Sequence, residues 1–547
     1  MKAGVRNRTN RRWKALVTML SWSVIALAQT GVGNEEVIVV KEYEAKIQDA
    51  QKLNIQPNIP ETEEKKPTFD YTIPAKDYKN FAFEPNPLKP VALSKEKVEK
   101  YNTSFVKIGF GSQLMPLAQL AYNDNKTKNL KFGIFYNHLS AHEFKVRNQR
   151  FLDDEAGVYL RYYPKTFEVG TAFTFRNYRT HFYSVDTMFS DTAFKAKDVR
   201  QVFRNYDASV YFGNSQKNKS LIDFRQSVNF NYLQETYGKA NEWFIAGTTA
   251  FSKTFKQHHA ALADFNFDIS RLKNDSLVLQ RNIFRFDVGY SFDNDDWEAL
   301  GKFGLAIEGK KVFILADAHL EKRLYQHALI AYLGYHLRYD KNSLNTFAQN
   351  NNFIHNWVAI QNSHIGDFSA GVKGTAGGFS YNASFHFNHI NRMPLFVSDT
   401  ADMRRFVVVY DSAVKIFNVH LEAGYNVKEW LRFALVGDYN FYQLNVENRP
   451  WHLPTVNLTF RAQYIWQNKV KVGVDLFGIT NTYAKLAGAT EAKIKGTADV
   501  NLSLEYIMSK HVAFFGNLNN IANFRYQRWY NYPGYGINGM VGAKFSF

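Results

Sequence analysis

Asp499-Val500-Asn501-Leu502-Ser503-Leu504-Glu505-Tyr506, together with the terminal Val541-Gly542-Ala543-Lys544-Phe545-Ser546-Phe547, decides how the rest of the chain is read. In the first segment Val500, Leu502, Leu504 and Tyr506 fall on one face of a strand and the polar residues on the other, because strand side chains alternate with a period of two. The terminal segment repeats the pattern with Val541, Ala543, Phe545 and Phe547 on one side, and it ends on an aromatic. A soluble sheet can alternate in this way too. The distinction rests on whether the alternation fills the chain and whether any other core is available.

Composition addresses the second point. The chain of 547 residues holds 47 Phe, 32 Tyr and 9 Trp, yet hydrophobic residues make up only 45%. Mean hydropathy is −0.36. A bundle of membrane helices would need about 20 consecutive apolar residues per helix, which this balance excludes. A membrane β-barrel predicts this combination, since alternate residues meet lipid and water while Trp and Tyr ring the interfaces. The absence of cysteine removes disulfides and thiolate metal sites.

The formal charge is +17, of which Lys2, Arg6, Arg8, Arg11, Arg12 and Lys14 belong to a leader; 17 less these six leaves +11. The remaining basic residues are scattered along strands and turns with no Lys/Arg stripe. Contact with anionic outer-membrane lipid and lipopolysaccharide accounts for them better than nucleic acid does. Residues 1–28 read as a secretory signal peptide: a basic start, an apolar stretch from Ala15 to Leu27, and Ala26-Leu27-Ala28 as the cleavage site.

Residues 29–102 form a second region, in which seven of the thirteen prolines lie between Pro57 and Pro90. Proline at that density excludes a packed helix or a central strand. The region is expected to be an extended periplasmic strap, which at roughly 3.3 Å per residue reaches on the order of 200 Å.

From residue 103 to 547 the period of two hardly stops. Phe284, Phe286, Val288 and Tyr290 oppose Arg285, Asp287 and Gly289; Phe379, Tyr381, Ala383 and Phe385 oppose Ser380, Asn382 and Ser384; Val419, Leu421 and Ala423 oppose His420 and Glu422. Turn signals such as Tyr163-Pro164-Lys165, Ala376-Gly377-Gly378 and Gln467-Asn468-Lys469 separate the runs. A simple tally gives twenty-three strands, but single-chain bacterial barrels have an even number with both ends on the periplasmic side. Walking inward from each end, the two parities collide between Asn391 and Val414. Assigning Arg405–Tyr410 to a long extracellular loop removes the conflict. The expected fold is all-β: a closed antiparallel transmembrane barrel of about 22 strands, with an even number between 18 and 22, in a Gram-negative outer membrane.

Several stretches then carry a family resemblance. Leu518-Asn519-Asn520-Ile521-Ala522-Asn523, Tyr526-Gln527-Arg528-Trp529, Tyr532-Pro533-Gly534 and the terminal Gly542 to Phe547 resemble the last strands of TonB-dependent receptor barrels, above all those of Bacteroidota. Ile108-Gly109-Phe110-Gly111 with Pro116, Tyr136-Asn137-His138-Leu139-Ser140, and Met393-Pro394-Leu395-Phe396-Val397 leading to Arg405-Phe406 and Tyr410-Asp411 are similar to a plug-lacking subgroup. Lys66-Pro67 and Tyr71-Thr72-Ile73-Pro74 fit that subgroup as well. Glu36-Val37-Ile38-Val39-Val40 is similar to the box through which such receptors add a strand to TonB. Full receptors carry an N-terminal plug of more than a hundred residues; here the strap stands in that place. The resemblance therefore implies a channel or receptor-like transporter whose lumen is filled by inward-folded loops or by the strap. The alternative is a barrel subunit of a larger outer-membrane or biogenesis assembly.

Catalytic constellations and cofactor motifs are weak, and an enzyme is the least favoured class. Asp317, His319 and Glu321 share one strand face and could bind a cation or relay a proton, although a polar lumen yields such rows freely. His386 and His389 fall on opposite faces and cannot share a metal. Arg285, Asp287, Asp317, His319, Glu321, His420 and Glu422 are the expected lumen lining. Val541, Ala543, Phe545 and Phe547 are the expected insertion signal for the barrel assembly machinery. Other outer-membrane subunits and TonB are the candidate protein partners.

Overall fold

Residues 103–547 are described by the computed structural model of the protein, apart from 125–126, 144, 165, 185–193, 215–220, 257 and 357–359. The expected signal peptide with Ala26 and Ala28, the proline-rich segment and the Glu36–Val40 segment similar to a TonB box lie outside the described residues. The described chain is a closed antiparallel barrel of 22 strands, each paired with its sequence neighbours. Strand lengths run from 8 residues at Ser104–Gly111 to 16 at Val278–Asp293. No described helix is long and apolar enough to cross a membrane.

Alternation becomes an outer apolar surface. Ile108, Phe110, Phe286, Phe303, Ile314 and Val541 are all about half exposed or more, whereas the intervening polar residues are drawn in among their neighbours. Tyr162, Tyr325, Trp430, Tyr464, Trp466 and Tyr506 lie exposed beside the short turns at one end. They form the aromatic girdle that a membrane interface selects. This is an outer-membrane type of transmembrane barrel.

The two ends differ. At the end that holds Ser104 and Phe547 the connections are tight, such as Gly377–Gly378 and Glu429–Trp430. At the other end seven are long: 142–150, 182–199, 341–362, 392–413, 444–455, 480–496 and 520–537. The parity collision in the sequence is resolved there. Phe406–Asp411 is a strand, but it pairs with Met393–Ser398 in a separate hairpin, while Phe379–Asn391 pairs directly with Val414–Lys428. The long loop expected around Arg405–Tyr410 is therefore itself folded.

The seam joins Ser104–Gly111 to Asn538–Ser546, with Gly109 opposite Gly542. Phe547 completes it: its N–H donates to Ser104 O (2.9 Å) and its carbonyl accepts from Ser104 N (3.0 Å). Phe515, on Val512–Asn519, pairs with Gly542 and lays its ring across both glycines. A Cβ on Gly542 would stand 2.5 Å from that ring, and closer still to Ile108 O. An aromatic covering cross-strand glycines is a recognised device for pinning sheet register. Deleting Phe545–Phe547 removes the last ladder bonds, and the truncated chain is expected to be degraded instead of accumulating in the outer membrane. Gly542→Val is expected to act in the same direction by wedging the seam. Membrane fractionation and heat-modifiable gel mobility measure both, and unchanged levels of folded truncated chain would show the seam unnecessary.

Candidate functional site: a loop cap over a polar inner wall

The long loops fold inward and build the main apolar core of the described residues. Its centre is the hairpin Met393–Ser398/Phe406–Asp411, buried on both faces. Met393, Leu395 and Val397 pack with Ile365, Ile390, Val414 and Ile416 of the wall and with Trp451. From the opposite face, Phe396, Val408 and Tyr410 meet the helix Leu344–Asn350, whose Leu344, Phe347 and Ala348 press on Phe203, Leu233 and Leu272 of the wall. The helix starts where Ser343 and Thr346 form a reciprocal capping box, Ser343 Oγ accepting from Thr346 N (3.0 Å) and Thr346 Oγ1 from Ser343 N (2.9 Å).

Aromatic contacts lock this hairpin to distant loops. Phe353 stacks on Tyr532 at 3.5 Å between centroids, and Phe406 lies 5.4 Å from Trp529 and 6.0 Å from Tyr532. Gln149 Nε2 donates to Pro533 O at 2.6 Å, and Tyr535 OH donates to Gln149 O at 2.7 Å. Arg405 is buried between the rings of Tyr237 (5.1 Å) and Phe182 (5.9 Å). Burial, and after it the Arg405 guanidinium, hold the His355 imidazole below its ordinary range, while Asp399 contacts its Nδ1 at 2.8 Å.

Two residues tie the cap most firmly. Asp411 is fully buried, and its carboxylate accepts from the backbone N–H groups of Ala413, Asn445, Val446 and Glu447 at 2.8–3.3 Å. It holds the 444–455 loop to the hairpin. His452 donates from Nδ1 to Phe396 O (3.1 Å) and accepts at Nε2 from Tyr530 N (3.4 Å), so it joins three loops as a neutral ring. Burial pushes its pKa down to about 4.

Below the cap the inner wall is polar and partly open to water. Asp317 Oδ1 lies 2.7 Å from His336 Nδ1, and His319 Nε2 2.7 Å from Glu321 Oε1. Lys373 also pairs with Glu321. His420 contacts Asp438 at 2.8 Å and Glu422 at 3.4 Å. Asp287, on the face opposite the exposed Phe286 and Val288, has its Oδ1 over Gly304; nearby, Lys302 reaches Asp264 at 2.6 Å. Arg285 shares that face of the strand Val278–Asp293. His386 contacts Asp367 at 3.3 Å and Ser384 at 3.2 Å, whereas His389 turns to Asn391. Asp317 thus pairs with His336 while His319 and Glu321 pair with each other, so the three do not converge on one point. Among the described residues no group of three or more His, Asp or Glu side chains is placed to hold a metal ion.

The partners His336, Asp367, Lys373 and Asp438 were not found from sequence, because cross-strand neighbours depend on register. The cap had a readable signal: Phe406-Val407-Val408-Val409-Tyr410 is continuously apolar, as a strand buried on both faces must be.

No protein-family model matches the chain, and no curated protein matches its sequence. Solved structures do resemble it. The siderophore receptor PirA from Acinetobacter baumannii superposes with a TM-score of 0.66 at 8% identity, covering 83% of this chain and 81% of that one. The FrpB iron transporter from Neisseria meningitidis (F3-3 variant) gives 0.65 at 11%, with 82% of each chain covered. The ferric-catecholate import receptor Fiu from Escherichia coli K12 gives 0.64 at 10%, again covering 82% of each. The likeness is one of fold: this chain has the 22-strand barrel architecture found in TonB-dependent siderophore receptors.

Asp411→Ala leaves the four N–H groups of Ala413, Asn445, Val446 and Glu447 without this acceptor, at about 1–3 kcal/mol for each one kept from water. Faster hydrogen exchange at Asn445–Glu447 is the expected outcome, and unchanged exchange would remove Asp411 from this role. For His452, the folded pKa of about 4 lies below the ordinary 6.5. Its contribution to cap stability is therefore complete above pH 6.5 and declines as pH falls toward 4, by about 1.4 kcal/mol per unit. Hydrogen exchange in 444–455 measured across that range should rise on acidification, and His452→Asn, which suits the positive φ of 61° at this position, should flatten the response.

Proposed function

We propose that the chain is a receptor-like outer-membrane transporter whose external mouth is closed by its own loops in place of a plug domain. The long-loop end then faces the exterior, and residues 29–102 form a periplasmic strap. The observation that carries this reading is the interlocked cap of Phe353, Phe406, Trp529 and Tyr532 over a water-accessible polar wall. A barrel of 22 strands has a lumen too wide for wall side chains alone to fill, so a cap at one end sets what enters. In this reading Arg285, Asp287, Asp317, His319, Glu321, His420 and Glu422 line the route taken by the solute. Glu36–Val40 offers a strand to TonB, whose pull reaches the barrel through the strap. Val541, Ala543, Phe545 and Phe547 serve as the assembly signal. No catalytic role is assigned to any of these groups.

A second reading, a non-catalytic subunit of a larger outer-membrane assembly, draws on Met403, Val446 and Phe524, apolar loop residues more than half exposed at the capped end. Planar-bilayer recording separates the two. Purified wild-type barrel is expected to be nearly silent, and replacing residues 394–410 by a short Gly/Ser linker to open it to ion flow. If the opened variant stays silent while remaining heat-modifiable, and does so even after removal of residues 29–100, the transport reading falls.

A further inference from the structure

Gly334 leaves a gap in the inner wall toward which two imidazoles turn. The strand Leu329–Asp340 runs between Lys311–Tyr325 and Ser363–Ala376, with Gly334 opposite His319 on one side and Ser369 on the other. His336, two residues on, shares the face of Gly334. The point at which a Gly334 Cβ would stand lies 2.6 Å from Ser369 Oγ, 3.4 Å from His336 Nε2 and 3.8 Å from His319 Nδ1. The far nitrogen of each ring already has a carboxylate: Asp317 at 2.7 Å from His336 Nδ1, and Glu321 at 2.7 Å from His319 Nε2. A carboxylate beside one ring nitrogen, hydrogen-bonded at His319 and in 2.7 Å ion-pair contact at His336, favours the proton there and leaves the lone pair on the other nitrogen. Here both lone pairs face the same gap.

This carboxylate–imidazole arrangement is the one that orients and strengthens histidine ligands around metal ions. Both side chains are partly open to the lumen, at 26% for His319 and 39% for His336, so modest rotations bring the nitrogens to the roughly 2.0–2.1 Å of a zinc bond. We propose that His319 and His336 form a binding site for a divalent transition-metal ion of the imidazole-preferring class, such as Zn2+, Ni2+ or Cu2+, with Ser369 Oγ beside it. Two protein nitrogens leave the remaining positions to water or to donors carried by a chelate. An ion held in this way exchanges readily, unlike one locked in a closed structural site. Hard cations are a poor match, since Asp317 and Glu321 point their oxygens at the rings and, for Glu321, at Lys373. The glycine is part of the site because any side chain there would fill the gap.

The site stands on its own geometry; only the idea that the ion is cargo rests on the transport reading. Titration calorimetry of the full folded chain in detergent with Zn2+, and electron paramagnetic resonance with Cu2+, test it. The expected result is one saturable site per chain with nitrogen hyperfine coupling from two imidazoles. His319→Ala, His336→Ala and Gly334→Ala should each weaken that site at least about tenfold while heat-modifiable mobility stays that of the parent. Glu321→Gln should weaken it by about 10–100-fold through the His319 ring. Absence of the site, affinity unchanged in both histidine variants, or Ca2+ competing as well as Zn2+ would overturn the proposal. Zinc binding in a barrel that never conducts would leave the site intact and remove the cargo role, so the two readings fail separately.

Discussion

An open sheet edge cannot end in hydrocarbon, because each unpaired N–H or C=O there costs several kcal/mol. The rest of this structure depends on meeting that constraint at the seam between Ser104–Gly111 and Asn538–Ser546. The first and last described strands are joined by a full ladder, with Phe547 bonded to Ser104 and the Phe515 ring over paired glycines. Once 22 strands are closed, their number sets a bore that wall side chains do not fill. A second constraint then follows, since the interior must be managed by something other than the wall.

The chain manages it by dividing the inner face into two zones. Near the long loops the inward positions are apolar, as at Ile365, Ile390, Val414 and Ile416, which receive the hairpin, and at Phe203, Leu233 and Leu272, which receive the helix. Further down the same strands they turn polar, as at His420 and Glu422 two and three turns of the alternation below Ile416. Carboxylates caught inside the cap are bonded to N–H donors. Glu235, nearly fully buried, accepts from Gln201 Nε2 (2.7 Å), Gly238 N (2.7 Å) and Ala240 N (3.2 Å). Asp411 does the same for the adjacent loop. Carboxylates bonded to backbone N–H groups fix loop paths that apolar contact alone would leave free to slide.

Much of the wall was legible in the sequence because a period of two leaves one reading for each strand once a face is assigned. Parity then recovered the strand number, and it did so by isolating the Arg405–Tyr410 segment that fits no spanning position. What could not be read was what that segment does. The run Phe406 to Tyr410 marks burial on both faces but does not name the surfaces that bury it, which come from Trp451, Phe347 and Trp529 far away in the chain. The inner wall has the same limit. Asp317, His319 and Glu321 were visible as a row, while the pairing of His336 with Asp317 and the gap above Gly334 depend on register between neighbouring strands.

The cap also carries a kinetic consequence. Tyr532 meets Phe353 and Phe406, and Pro533 accepts from Gln149 across 384 positions of sequence. The loops bearing these groups spring from strands on both sides of the seam, so closing the cylinder is what holds them within reach of one another. The expected order of assembly is the wall first and its lid last. A chain stalled before closure displays Phe353, Phe406, Trp529 and Tyr532 uncovered, which marks unfinished barrels by the same aromatic surface that seals finished ones.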